Sequence, residues 1–201
     1  MKFSKSLIAA SMAAAAFGAS AQDLVVNGSF EANSQPNGSW SIYNNLTGWT
    51  GNTDIELRNN VAGAAQNGSN YVELDTTRNM SMSQIVTGFG EYTLSFWYSA
   101  RERVAAGSNG LDFSFGNLTG SLLQNTAGAA SGNNWQHFVG NVTLNGATTL
   151  TFAARGVSDS YGASLDNVSV TAVPEVETYA MMLAGLGMIG TIVRRRKINA
   201  A

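Results

Sequence analysis

The stretch EYTLSFWYS, residues 91–99, decides the fold class of this chain. Successive side chains of a β-strand point to opposite faces, so residues two apart share a face. On this spacing one face carries four large apolar or aromatic side chains, which are Tyr92, Leu94, Phe96 and Tyr98. The other face is polar except for Trp97. The pattern predicts a strand with one face in a hydrophobic core.

The same alternation recurs in short segments bounded by Gly, Asn and Ser. The other predicted strands are DLVVNGSF, TDIEL, YVELD, SMSQIV, LDFSF, WQHFVGNVTL, TTLTFAA and ASLDNVSVT. Helical periodicity never extends beyond two turns, and no repeat period emerges. Nine or ten short strands therefore predict an all-β domain, a two-sheet antiparallel sandwich of the jelly-roll type.

The first residues have the composition of an export signal. Two lysines precede an apolar run over residues 7–16, and Ala19-Ser20-Ala21 follows it. This order predicts a secretory signal peptide over residues 1–21. The next segment, residues 22–173, is long enough for one domain with its own core.

Composition limits the chemistry open to this domain. The chain has no cysteine, which excludes disulfides, iron–sulfur clusters and thiolate zinc sites. Residues 22–173 contain eleven acidic side chains against five arginines, so the domain has no excess of positive charge for nucleic acid. We expect stability to come from burial, with a hard metal ion as a possible addition.

The C-terminal segment, residues 174–201, has three parts. Two glutamates come first, then 16 uncharged residues from Thr178 to Val193, then RRRK. As a helix the uncharged run would reach about 24 Å, short of a hydrocarbon core of about 30 Å. The basic cluster would hold its end in the cytoplasm. The segment predicts a short C-terminal hydrophobic helix, and a plain membrane anchor is one interpretation of it.

The sequence VPEVETYAMMLAGLGMIGTIVRRRK, residues 173–197, resembles the PEP-CTERM sorting signal of Gram-negative bacteria. That resemblance implies processing by an exosortase in the inner membrane and delivery to the cell surface or extracellular matrix. The motif residues would be Pro174 and Glu175, with Val176 in place of the second proline. The basic residues of the signal would be Arg194, Arg195 and Arg196.

A second resemblance covers residues 22–173. The motifs LVVNGSFE, YVELD and LDNVSV occur in the order typical of the galactose-binding-like jelly roll of many carbohydrate-binding modules. The resemblance implies a non-catalytic module that binds extracellular polysaccharide, with a link to biofilm. Many members hold a structural Ca²⁺, and the matching ligands here would be Glu31 and Asp166. The alternative is two surface acids that cap loops.

Aromatic and guanidinium side chains are the candidate glycan contacts. Trp97 on a polar strand face offers a flat platform for a sugar, and Arg101 and Arg155 could supply planar donors beside it. Trp40 and Tyr43, in an Asn- and Ser-rich stretch, are secondary candidates. Burial of Trp97 under loops is the alternative interpretation. Two other tryptophans stand beside strand starts and are predicted to pack, which are Trp49 and Trp135.

Catalytic residues are scarce in this sequence. There is one histidine, no cysteine and no G-x-S-x-G motif, and the spacing places His137 on a strand. Glu73 and Asp75 share a face of one strand, where two carboxylates rarely straddle a scissile bond. We therefore predict that the protein is not an enzyme. A structural matrix protein with no sugar site is the alternative function.

Overall fold

The computed structural model describes residues 22–173 together with Gly185. The predicted signal peptide and, apart from Gly185, the predicted sorting signal lie outside the described residues. In the described part of the chain, no helix is long and apolar enough to cross a membrane.

Eight strands form the domain, and every pairing between them is antiparallel. They are β1 (Ser39–Leu46), β2 (Trp49–Asn59), β3 (Asn70–Glu73), β4 (Ser81–Ser99), β5 (Gly110–Phe115), β6 (Leu118–Leu122), β7 (Gln136–Arg155) and β8 (Ser164–Ala172). A 3-10 turn spans Ala106–Ser108. The all-β antiparallel sandwich predicted from the alternation is confirmed.

Two layers arise because the long strands change neighbours along their length. The start of β4 pairs with β2, whereas its second half pairs with β8. β7 pairs with β4 almost throughout, and its end also pairs with β5. The first layer therefore holds β5, β6, the start of β4 and the end of β7. The second layer holds β3, β8, the start of β1, the end of β2, the second half of β4 and the start of β7.

Glycines let the β4–β7 ribbon pass from one layer to the other without a break. Gly90 has φ +104° and Gly146 has φ +120°, values that a side chain would disfavour. The predicted strands SMSQIV and EYTLSFWYS are therefore one bent strand, and so are WQHFVGNVTL and TTLTFAA. These two mergers remove two of the predicted strands, and β1 and β6 are two strands that the sequence does not predict.

The core lies between the layers and is built from the predicted faces. Leu94 and Phe96 are fully buried, and Tyr92 and Tyr98 pack against the same cluster. Phe96 makes ring contacts with Phe113, Phe138 and Phe152. Trp49 is also in the core, as predicted.

The first predicted strand, DLVVNGSF, is wrong as a regular strand. It makes one isolated bridge, between Asp23 and Thr171, and backbone hydrogen bonds join Leu24 to Val170 and Val168 to Gly28. Positive φ angles at Asn27 and Phe30 turn the backbone away from an extended ladder. The segment nevertheless lies beside β8.

Candidate functional site

The outer face of the second layer, the face opposite the core, carries the candidate site. Residues paired across neighbouring strands share a face, so the register defines rows on it. One row joins Ile42, Glu56, Glu73, Ser164 and Ser99, and the next joins Trp40, Arg58 and Tyr71. Trp97 and His137 lie further along, on β4 and β7.

A buried ion cluster lies beneath one end of this face. Arg58 contacts Glu56 through Nε at 2.6 Å and Glu73 through Nη2 at 2.8 Å. Arg101 Nη1 lies 3.2 Å from the other oxygen of Glu73, and the Gly162 N–H donates to that oxygen at 2.8 Å. Glu73 is fully buried. Burial raises the pKa of Glu73 to about 7, and the two arginines oppose that rise.

Arg101 joins this cluster to the surface. Its guanidinium lies 4.4 Å from the centre of the Tyr161 ring, and Nη1 also donates to the Ser160 carbonyl at 3.2 Å. Nε and Nη2 make no hydrogen bond within residues 22–173, which leaves planar donors beside an aromatic ring. The loop that carries Tyr161 is held by Glu73 and by Asp75, which accepts the Asp159 N–H at 3.0 Å.

A cavity of about 200 Å³ opens above the cluster. It is lined by Trp40, Glu56, Arg58, Thr76, Arg101, Ser160 and Tyr161. Arg58 Nη1 and Thr76 Oγ1 are buried without a hydrogen-bond partner among the described residues. Trp40 is 53% exposed and Tyr161 47%. The cavity thus combines exposed aromatic rings with unsatisfied polar groups, which is the chemistry that polyhydroxylated ligands need.

Arg101 and Tyr161 also line a second cavity of about 370 Å³. Its other lining residues are Ala62, Glu102, Arg103, Val104, Ala105 and Asp159. The two cavities therefore flank one stacked pair of side chains. The lining of the larger cavity has two arginines and two acids, whereas the lining of the smaller one has two arginines and one acid.

The other end of the outer face has a different construction. Trp97 is partly buried and stacks on His137, with ring centres 4.4 Å apart and planes 11° apart. His137 Nε2 lies 2.7 Å from Ser95 Oγ. The predicted outer-face position of Trp97 and the predicted strand position of His137 are confirmed. Among residues 22–173, no salt bridge involves Ser95 or His137.

Trp135 covers Tyr71 on the outer face, between the cavity and the Trp97–His137 pair. Trp135 packs edge-on against Tyr71 at 5.7 Å, and its indole N–H donates to the Ala64 carbonyl at 3.0 Å. Tyr71 is fully buried as a result. The predicted packing role of Trp135 is therefore confirmed.

The structure brings together only some of the predicted glycan contacts. Trp40 and Arg101 line the same cavity. Tyr43 packs towards the core, and its hydroxyl donates to Gln35 Oε1 at 3.1 Å. Arg155 lies in the first layer and contacts Asp112 at 3.2 Å, so its expected place beside Trp97 is wrong. Register explains the difference, because Arg155 ends the half of β7 that pairs with β5.

Glu56, Arg58 and Tyr161 also line the cavity, but the sequence pattern does not predict them as glycan contacts. Glu56 and Arg58 alternate with the apolar residues Ile55 and Leu57 in β2, and that spacing of charges is a signal in the sequence. Tyr161 lies in a loop far along the chain, where no local pattern marks it. Glu73 and Asp75, considered as catalytic acids, are both buried and act here as partners of Arg58, Arg101 and the Tyr161 loop.

The two predicted calcium ligands hold the same loop. Glu31 Oε1 accepts the N–H groups of Ser69 and Asn70, and Asp166 Oδ2 accepts those of Gln66 and Asn67. Burial raises the pKa of Asp166 to about 7, and the charge of Glu31 adds to the rise. No arginine pairs with either acid among the described residues. No group of three or more acidic, histidine or cysteine side chains that could hold a metal ion occurs there either.

Comparison with known proteins gives a fold and no sequence family. No family model matches the chain, and no curated protein matches it. The solved structure of TmCBM61 in complex with β-1,4-galactotriose superposes with a TM-score of 0.52 at 15% identity, covering 76% of this chain and 99% of that one. A CBM35 from Paenibacillus barcinonensis gives a TM-score of 0.44 at 21% identity, covering 68% and 100%. The described domain therefore has a jelly-roll fold like that of the carbohydrate-binding module TmCBM61.

Proposed function

We propose that the domain binds glycan without catalysis and that the chain is an exported bacterial surface or matrix protein. The observation that carries the proposal is the cavity beside Arg101. Its exposed rings can lie against the C–H face of a sugar, and its unpartnered donors can reach hydroxyl groups. The fold likeness to a carbohydrate-binding module is consistent with this role, but a fold alone does not fix a function.

Polysaccharide binding tests this proposal directly. Purified domain is screened against a glycan array and against exopolysaccharide from the host, with calcium present. Trp40→Ala is expected to weaken binding by about 30-fold, which corresponds to about 2 kcal/mol for a central aromatic contact. Val139→Ala is a matched control, because Val139 is an exposed apolar residue outside the cavity lining.

The same screen separates the two functions. Binding that depends on Trp40 supports the glycan module. No binding to any array glycan or to the host polymer would refute the module, and the chain would then be assigned as a structural matrix protein. Absence of glycan hydrolysis by the wild-type domain is also expected, because Glu73 is held by two arginines instead of facing a substrate.

We propose that Glu31 and Asp166 contribute to a structural Ca²⁺ site. Two acids with no cationic partner converge on one loop, and oxygen ligands suit a hard cation. Glu31 Oε2 accepts no hydrogen bond within residues 22–173, so it is open to a ligand. A bound Ca²⁺ would supply positive charge, while these residues would fix the loop of residues 66–70. The remaining ligands would be carbonyl or water oxygens.

Melting experiments test the calcium site. Calcium is expected to raise the melting temperature, and EDTA to lower it, because a cation bound only by the native state stabilises that state. Asp166→Asn should abolish the response, whereas Asp54→Asn, at an acid that accepts a hydrogen bond from Thr77 Oγ1 and not from this loop, should leave it intact. An unchanged melting temperature in both calcium and EDTA would contradict the site.

We propose that residues 1–21 direct export and that residues 174–201 are read by an exosortase. The supporting observations are the order of motif, uncharged run and basic cluster in the sequence. Replacing Pro174 and Glu175 together by alanine is expected to leave the unprocessed chain in the inner membrane. Restoring the second proline with Val176→Pro is the matched comparison and should not reduce processing. Release of the double alanine variant at the wild-type level would contradict exosortase processing.

A further inference from the structure

Residue 173 lies at the opposite end of β8 from the cavity. β8 begins at Ser164, next to Glu73 and the cavity, and ends at Ala172 after nine residues. At about 3.3 Å per residue these ends are about 27 Å apart. The Val173 N–H donates to the Glu91 carbonyl at 2.9 Å, which fixes the exit point against β4.

An exposed phenylalanine lies beside this exit. Phe89 is 76% exposed, the largest value among the exposed apolar side chains of the domain that are described, and Val173 is 37% exposed. Phe89 is two residues from Glu91, a separation of about 7 Å along a strand. Gly88 and Gly90 flank Phe89 where the β4–β7 ribbon bends from one layer to the other. This exposed bend is the tip of the domain beside the exit.

The sequence around this tip suits a lipid surface. Glu91 is the only charged residue of β4, and the paired stretch of β7, residues 144–147, has none. Only four residues, 174–177, separate Val173 from the uncharged run that begins at Thr178. Four extended residues span at most about 14 Å. If the uncharged run enters a bilayer, the tip around Phe89 must stay close to the headgroups.

We propose that Phe89 and Val173 contact the membrane surface while the C-terminal segment, residues 174–201, is anchored in the membrane. This inference rests on the proposed membrane role of residues 174–201, whether that role is transient sorting or permanent anchoring. A large apolar side chain such as that of Phe89 is favoured at the boundary between headgroups and acyl chains, where it leaves water. The consequence is orientation, because the cavity beside Arg101 then faces away from the membrane.

The absence of cysteine makes the contact measurable. The full coding sequence is expressed, and the protein is purified from membranes into vesicles of phosphatidylethanolamine and phosphatidylglycerol. Phe89→Cys carries an environment-sensitive fluorophore, and Val157→Cys is the matched control. Val157 is an exposed apolar residue, 57% exposed, in the loop before β8 at the cavity end. Doxyl-labelled lipid is then added to quench probes at the bilayer.

The expected result is a several-fold loss of emission at position 89 and no change at position 157. If the protein floats with vesicles but both probes remain unquenched, the contact is refuted. If both are quenched, the proposed orientation is refuted. A blue-shifted probe at position 89 that ignores doxyl lipid and depends on protein concentration would mean a second copy covers the tip, which also refutes the contact. Failure to float at all refutes the membrane role of the tail and this inference with it, and flotation distinguishes the two failures.

Discussion

The outer face of the second layer presents aromatic side chains at both ends, but the two ends are supported differently. At the cavity end, Arg101 is fixed between Glu73 and Tyr161, and Trp40 stands exposed beside it. At the other end, Trp97 is already covered on one side by the His137 ring. The first arrangement leaves rings and donors open to a ligand. The second stacks its two rings on each other at the surface.

The difference teaches that an aromatic residue on a polar strand face is only half of a binding site. A ligand also needs polar groups held in place before it arrives, since ordering them on binding costs affinity. Glu73 supplies that order at the cavity end, because one carboxylate holds two guanidinium groups and the N–H of the Tyr161 loop.

Glu73→Gln is expected to have the largest effect on the comparison. Removing one partner of a buried ion pair typically costs about 3–5 kcal/mol, because the remaining charges stay buried without compensation. Urea unfolding measures the loss. Asp112→Asn removes the acid of the partly exposed Arg155–Asp112 pair and should cost at most about 1 kcal/mol. Equal losses in the two variants would mean that the buried cluster does not support the cavity end.

Arg101→Lys should weaken the cavity end while sparing most of the fold. Lysine keeps the positive charge near Glu73 but loses the planar donors and the stacking on Tyr161. We expect about a tenfold loss of glycan affinity, which is about 1.4 kcal/mol. Isothermal titration with a glycan identified in the screen measures it, and Arg103→Lys controls for a general effect of charge type. Unchanged affinity in Arg101→Lys would exclude Arg101 as a ligand contact.

Sequence predicts the layers of this domain well because alternation is a local property. Leu94 and Phe96 point inward at the positions that their spacing predicts. The strand count is less accurate, since Gly90 and Gly146 bend a continuous ribbon where composition indicates a turn. The polar stretch SWSIYNNL gives little strand signal, yet it forms β1 through pairing with β2. Tertiary pairing, which no local pattern records, decides such cases.

The candidate site is less predictable than the fold. Trp40 and Arg101 were identifiable as residue types that bind sugars, but their meeting in one cavity depends on register across β1, β2 and β3. Tyr161 joins them from a loop that Glu73 and Asp75 hold from below. Arg155 was misplaced because strand β7 is long enough to end in the other layer.

Trp97→Ala and Trp40→Ala should show opposite effects. Trp97 has a stacked partner, so its loss should reduce stability by about 1 kcal/mol beyond the lost burial. Trp40 is half exposed and has no ring partner among the described residues, so its loss should change stability by at most about 0.5 kcal/mol. Glycan affinity should fall in Trp40→Ala and change by less than about twofold in Trp97→Ala. Unfolding curves measure the stability of both variants, and titrations measure their glycan affinity. Equal affinity losses would make Trp97 a ligand contact as well.

Arg155→Met is expected to have the smallest effect, and it tests the boundary of the site. Arg155 is 53% exposed and its pair with Asp112 is open to solvent, so we expect a stability change of at most about 1 kcal/mol. Methionine retains most of the length of the side chain, so loss of packing is minimised. Glycan affinity should stay at the wild-type value, because Arg155 belongs to the first layer. If affinity instead fell as far as in Arg101→Lys, a ligand would have to contact both layers. The contrast between the two ends of one face would then no longer describe how this domain binds its ligand.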